Sequence, residues 1–94
     1  MNDSSRPLAL VTGASSGIGY HLAWLCAEAG HDLLVAADRD EIDRAAEDFR
    51  RFGGRVDAVR CDLATTDGVD RLCAAIGDRA VEALLANAGH GATP

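Results

Sequence analysis

Short apolar runs and amphipathic stretches alternate along this chain, the runs starting about every 25 residues. Leu8–Thr12 (LALVT) is apolar almost throughout and is closed by Gly13, which suits a strand buried on both faces, as in a parallel sheet. Ile18, Leu22, Leu25, Cys26 and Ala29 then recur at spacings of four, three, one and three, one face of a helix that Gly30 stops. Tyr20 and Trp24, four apart, form a neighbouring stripe expected to pack against an adjoining element. Asp32–Ala37 (DLLVAA) is a second buried run with a polar turn after it at 38–40. Asp40 is placed to cap a helix with Ile42, Ala45, Ala46 and Phe49 inside, ended by Gly53-Gly54. Residues 56–61 (VDAVRC) predict a third strand with Asp57 and Arg60 on opposite faces, the pattern of a partly solvated edge. Thr65 or Thr66 caps a third helix with Val69, Leu72, Cys73 and Ile76 inside, and 81–87 (VEALLAN) is a fourth strand leading into Ala88-Gly89-His90-Gly91.

Strands separated by helices at this interval are the signature of repeated βαβ units, so the expected fold class is α/β, a doubly wound parallel sheet of four strands and three helices. The chain of 94 residues has room for one domain, residues 1–94, with a frayed polar tail at 1–6. No helix is predicted after the fourth strand within these residues, so one sheet edge is expected to be open.

Composition narrows the functional classes. Hydrophobic residues make up 48% and charged residues 26%, the balance of a globular chain with a core. The net charge is −6, and all nine basic residues are Arg, so nucleic acid is not an expected partner. No run reaches the 18 or so apolar residues of a membrane helix and 1–7 has no signal-peptide core, so a cytoplasmic setting without a membrane is expected. Cys26, Cys61 and Cys73 are odd in number and widely spaced, which favours reduced, buried thiols. His21, His31 and His90 lack ligand spacing, so no metal site is expected.

The stretch from Thr12 to Gly19 (TGASSGIG) follows one predicted strand and opens a predicted helix. Gly13 lets the chain turn out of the strand, Gly17 permits close backbone approach to a ligand, and Gly19 lets the helix lie against the sheet. The first helical amides, including that of Ile18, have no internal partner, and the helix dipole puts partial positive charge there. Such a turn suits a pyrophosphate, to which Ser15 and Ser16 add hydroxyl donors. The alternative is a glycine-rich turn required by sheet geometry alone. Asp62 and Leu63 follow the third strand, where such sheets bind ligands, although Asp62 also suits a plain turn role.

The spacing Gly-x-x-x-Gly-x-Gly resembles the short-chain dehydrogenase/reductase family, whose Thr-Gly-x-x-x-Gly-Ile-Gly motif is matched from Thr12 to Gly19. Cys61-Asp62-Leu63 resembles the family's Asp-Leu or Asp-Val pair, and Ala86-Asn87-Ala88-Gly89 resembles its Asn-Asn-Ala-Gly, with Ala86 in place of the first Asn. The resemblance implies a Rossmann-like fold, the adenine amino group bonded by Asp62, and a nicotinamide ribose near Asn87, Ala88 and Gly89. It also implies a nicotinamide dinucleotide, NAD or NADP, and interconversion of an alcohol and a carbonyl.

An acid after the second strand bonds ribose hydroxyls and repels a 2′-phosphate, whereas Arg accepts that phosphate. Asp38 and Arg39 stand nineteen and twenty residues beyond Gly19, and NAD-preferring relatives carry their acid where Ala37 stands. Ser16 replaces a basic residue found in some NADP-preferring relatives, and the reading leans to NAD. The bland alternative is that Asp38 and Arg39 only solvate the turn.

The family's Tyr-x-x-x-Lys pair is absent: the one Tyr is Tyr20 in the first helix, and the chain contains no Lys. No catalytic residue is therefore assigned, and no turnover is expected of these residues alone. The expected function is the cofactor-binding portion of such an oxidoreductase, completed by the remainder of the domain or by a homo-oligomer. A non-enzymatic nucleotide-binding or interaction module using the open fourth-strand edge is the competing class.

Overall fold

A computed structural model describes residues 6–87. The expected tail falls outside the described residues apart from Arg6, whose guanidinium donates to the Gly30 carbonyl at 3.2 Å. The elements follow the predicted alternation: β1 (Leu8–Thr12), α1 (Gly17–Glu28), β2 (Asp32–Ala37), α2 (Glu41–Arg50), β3 (Val56–Arg60), α3 (Thr66–Ile76) and β4 (Val81–Leu85). β3 and β4 each end before the predicted limit, at Arg60 and Leu85. All neighbouring strands pair in parallel, in the order β3-β2-β1-β4. The chain thus runs from β1 outward to one side through β2 and β3, then crosses back to lay β4 on the other side of β1.

Strand alternation divides the core into two layers. Ala9, Val11, Leu33, Val35 and Val56 face α1 and α2, where they meet Ala23, Ala27, Ile42, Ala46 and Phe49. Leu8, Leu10, Leu34, Ala36 and Cys61 face the other way, toward Leu72 of α3. Helices on both faces explain why β1 and β2 read as continuous apolar runs.

The four inner positions predicted for α2 are all buried. Two other helix faces need correction. On α1 the buried residues are Gly19, Ala23 and Ala27, while Ile18 is 72% and Leu25 46% exposed. This helix is apolar around most of its girth, so residue size misleads: the line nearest the sheet carries small residues because the backbones approach closely there. On α3 the buried residues are Gly68 and Leu72, with Ile76 half-buried and Val69 and Cys73 exposed. Thr65 does cap α3, its hydroxyl accepting the Gly68 amide at 2.9 Å. Asp40 makes no capping bond; its carboxylate pairs with Arg60 instead, at 2.6 Å.

The Tyr20–Trp24 stripe packs as expected. Tyr20 meets Phe49 in a tilted contact at 5.1 Å, Trp24 meets Phe52 edge-on at 5.0 Å, and Arg51 covers the Trp24 ring. The Tyr20 hydroxyl donates to Asp48 at 2.7 Å, joining α1 to α2. Arg79 fastens the end of α3: it donates to the carbonyls of Ala75 and Ile76 and pairs with Asp57 of β3 at 3.1 Å.

Candidate functional site

The two halves of the sheet diverge at β1, so the carboxyl ends of β1 and β4 border the crevice in which sheets of this topology hold ligands. Thr12 is buried at the end of β1, and its hydroxyl accepts the Asn87 amide at 2.9 Å. That bond ties the two strand ends together across the switch point. Sequence reasoning had Thr12 only as a motif letter, although a hydroxyl closing an apolar run was the available signal.

Gly13 and Gly19 are demanded by close packing. Gly13 has φ +65, and a Cβ there would lie 2.1 Å from the Asn87 carbonyl oxygen. A Cβ on Gly19 would lie 2.0 Å from the Gly13 carbonyl oxygen. The turn, the first turn of α1 and the end of β4 are therefore in backbone contact, which no other residue type permits. Ala14 secures the far side of the loop, its amide donating to Ala36 of β2 at 3.2 Å.

Gly17 differs. Its φ is +62, but a Cβ there would meet nothing within 4 Å, so the space in front of it is open. Ser15 is half-buried, whereas Ser16 and Ile18 are exposed. Ser16 precedes the helix in an extended conformation and its hydroxyl makes no capping bond. Among the described residues the amides of Gly17, Ile18 and Gly19 find no backbone acceptor; the first paired amide is that of Tyr20, on the Ser16 carbonyl. Three donors at the positive end of a helix, beside a hydroxyl with no capping bond, are the arrangement that suits an anion.

The second cluster lies at the ends of β2 and β3. A cleft of about 370 Å³ is walled by Asp38, Arg60, Cys61, Asp62, Arg71 and the first turn of α3. Asp62 shapes its own loop: its carboxylate accepts the Ala64 amide at 2.9 Å and its carbonyl accepts both the amide and the hydroxyl of Thr65. The turn role is thus realised by one carboxylate oxygen of Asp62. A Cβ on Gly68 would lie 1.9 Å from the Asp62 carbonyl oxygen, so α3 sits directly on this loop. Leu63 is 39% exposed beside it. Arg39 is exposed and is not among the walls of the cleft. Burial pushes the Cys61 thiol up, opposed by the charge of Arg71 and reinforced by Asp62 and Asp38, so this sulfur is a neutral wall.

The sequence pointed to Arg60 only as a polar residue of an edge strand, and to Arg71 not at all. Arg60 crosses to Asp40, while Arg71 donates to the Arg60 carbonyl at 3.3 Å and approaches Asp67 at 3.5 Å. Ala88 and Gly89 lie outside the described residues. Among the described residues no group of three or more His, Cys, Asp or Glu side chains could hold a metal ion, and no helix is long and apolar enough to cross a membrane.

Comparison with known proteins agrees with this geometry. A model of the short chain dehydrogenase family matches residues 7–94. The fatty acyl-CoA reductase of Acinetobacter baylyi is 38% identical over 86 residues, covering 88% of this chain and 29% of that protein. L-sorbose reductase from Gluconobacter frateurii, solved with NADPH and L-sorbose, superposes with a TM-score of 0.86 at 35% identity, over 94% of this chain and 35% of that one. An actinorhodin polyketide ketoreductase variant solved with NADPH gives 0.85 at 31% identity, over 96% and 36%. The chain thus spans about a third of the length of the relatives it matches.

Proposed function

The chain belongs to the short chain dehydrogenase family, and from that premise we propose that it holds a nicotinamide dinucleotide along the carboxyl ends of its strands, for an oxidoreductase acting on an alcohol or a carbonyl. The observation that carries this reading is the trio of amides at Gly17, Ile18 and Gly19, unpaired on backbone acceptors at the opening of α1 beside open space. The diphosphate is assigned to these amides, to the hydroxyls of Ser15 and Ser16, and to the turn at Gly13. Asp38 and Arg39 are assigned to the adenosine ribose, Asp62 and Leu63 to the adenine, and Asn87 with Ala88 and Gly89 to the nicotinamide side.

The dinucleotide, when bound, supplies a ring that accepts or donates hydride. The chain's own part is to bind and orient: the helix amides neutralise the diphosphate, and the Thr12–Asn87 bond keeps the nicotinamide end of the crevice at a set width. With no Lys in its sequence, the chain offers no Tyr-x-x-x-Lys proton donor, and no proton-transfer step is assigned to it. NAD is the preferred form, because the Asp38 carboxylate beside the ribose would repel a 2′-phosphate. Three free cysteines suit a reducing, cytoplasmic setting.

Calorimetric titration with NAD and a thermal melt in its presence test the reading. Ligand at a hundred times its dissociation constant should add about 2.7 kcal/mol of stability. Gly17→Asp should abolish binding while the protein stays folded, because the site is sterically open, Asp tolerates positive φ, and its charge opposes the diphosphate. Millimolar NAD or NADP that neither binds nor shifts the melt of the folded chain would reject the assignment.

A further inference from the structure

The Arg60–Asp40 pair is the feature of the crevice that the reading above leaves unused. Arg60 is the last residue of β3 and lies in register with Ala37, the last of β2, so it flanks the turn that carries Asp38. Its guanidinium reaches Asp40 at 2.6 Å and walls the same cleft as Asp38. Both partners are well exposed, 61% for Arg60 and 81% for Asp40. An exposed pair of this kind is weak, so a better acceptor displaces Asp40 readily. A phosphate dianion is such an acceptor, because it offers two oxygens to the planar fork and twice the charge.

We propose that Arg60 is the specificity-determining cation of the adenosine end and that Asp40 restrains it. The inference rests on the dinucleotide reading of the crevice. With Arg60 held by Asp40, Asp38 faces the ribose unopposed and a phosphate-free dinucleotide is favoured. A dinucleotide bearing a 2′-phosphate draws Arg60 away from Asp40 and offsets the Asp38 charge, so NADP is accepted at reduced affinity rather than excluded. Arg39 is exposed on the same turn and walls no part of the cleft. Arg71 walls the same cleft from α3, donating to the Arg60 carbonyl and pairing with Asp67.

The test is a set of dissociation constants for NAD and NADP, measured by calorimetry on the 94-residue chain and on surface variants, with melting temperatures as the control for folding. Asp40→Asn should tighten NADP by up to about fivefold, the most that loss of one exposed pair supplies, and leave NAD within about twofold. Arg60→Gln should weaken NADP about tenfold, and Asp40→Asn should have no further effect in that background, the non-additivity expected of residues acting through one contact. Arg60→Lys should recover part of the NADP affinity. Equal NAD to NADP ratios in the parent chain and Arg60→Gln, with both dinucleotides bound, would overturn this inference and leave the dinucleotide reading intact. Failure of the folded parent chain to bind either one would overturn both.

Discussion

β2 and β4 flank β1 on opposite sides and are similarly apolar in sequence, DLLVAA against VEALL, yet they live in different environments. Five of the six residues of β2 are buried, whereas no residue of β4 is. β2 pairs with strands on both sides and carries helices on both faces; among the described residues β4 pairs with β1 alone, and Leu84 on its α3 side is 63% exposed. Apolar composition is enough to make a strand, but neighbours decide how much water it loses. The cradle at 13–19 sits where these two environments meet, rigidly backed by β2 through Ala14 and joined to the end of β4 through Thr12 and Asn87.

That contrast can be broken from the buried side first. Phe49→Ala removes a fully buried ring under α1 and α2 and should cost about 3–5 kcal/mol. In a domain whose total stability is of order 5–15 kcal/mol, the denaturant midpoint should fall by a large fraction. The seam comes next. Gly13→Ala introduces a backbone clash with Asn87 at positive φ, and Thr12→Val strands the Asn87 amide. Each should cost roughly 1–3 kcal/mol. Amide exchange should then accelerate in β4 while β2 keeps its protection; uniform acceleration would mean that the two halves are not separable.

Tyr20→Phe should cost about 1 kcal/mol, the usual net worth of one hydrogen bond. The Asp48 carboxylate that accepts the hydroxyl, aided by partial burial and by the charge of Asp48, lifts Tyr20 above its ordinary value of 10.0, against the pull of Arg51. A raised folded value means that the contribution is fully present below the unfolded value and is lost as pH climbs through the folded one. Stability of the parent chain should therefore fall above about pH 10, more steeply than that of Tyr20→Phe. The smallest effect belongs to the open edge: Leu84→Ser should change stability by no more than about 0.5 kcal/mol. A loss near that of Phe49→Ala would show that β4 is covered in solution.

The glycine loop was legible because its constraint is local: backbone turn and helix opening are set by residues adjacent in sequence. Asp62 was legible as a strand-end acid, but its bonds to the Ala64 amide and across to Thr65 required the loop to close. The Arg60–Asp40 pair was not legible, since Asp40 read equally well as a cap and only the parallel register of β2 and β3 brings Arg60 to it.

From its sequence alone this protein's alternation of strands and helices, its parallel sheet and the glycines of its first turn were determined, because periodicity and backbone freedom are properties of neighbouring residues. The tertiary structure decided which line of α1 touches the sheet, where Asp40 spends its charge, and why β4 remains wet while β2 is dry. Those outcomes depend on distances between segments remote in the chain, and side-chain size and charge acquire their meaning only once packing has set those distances.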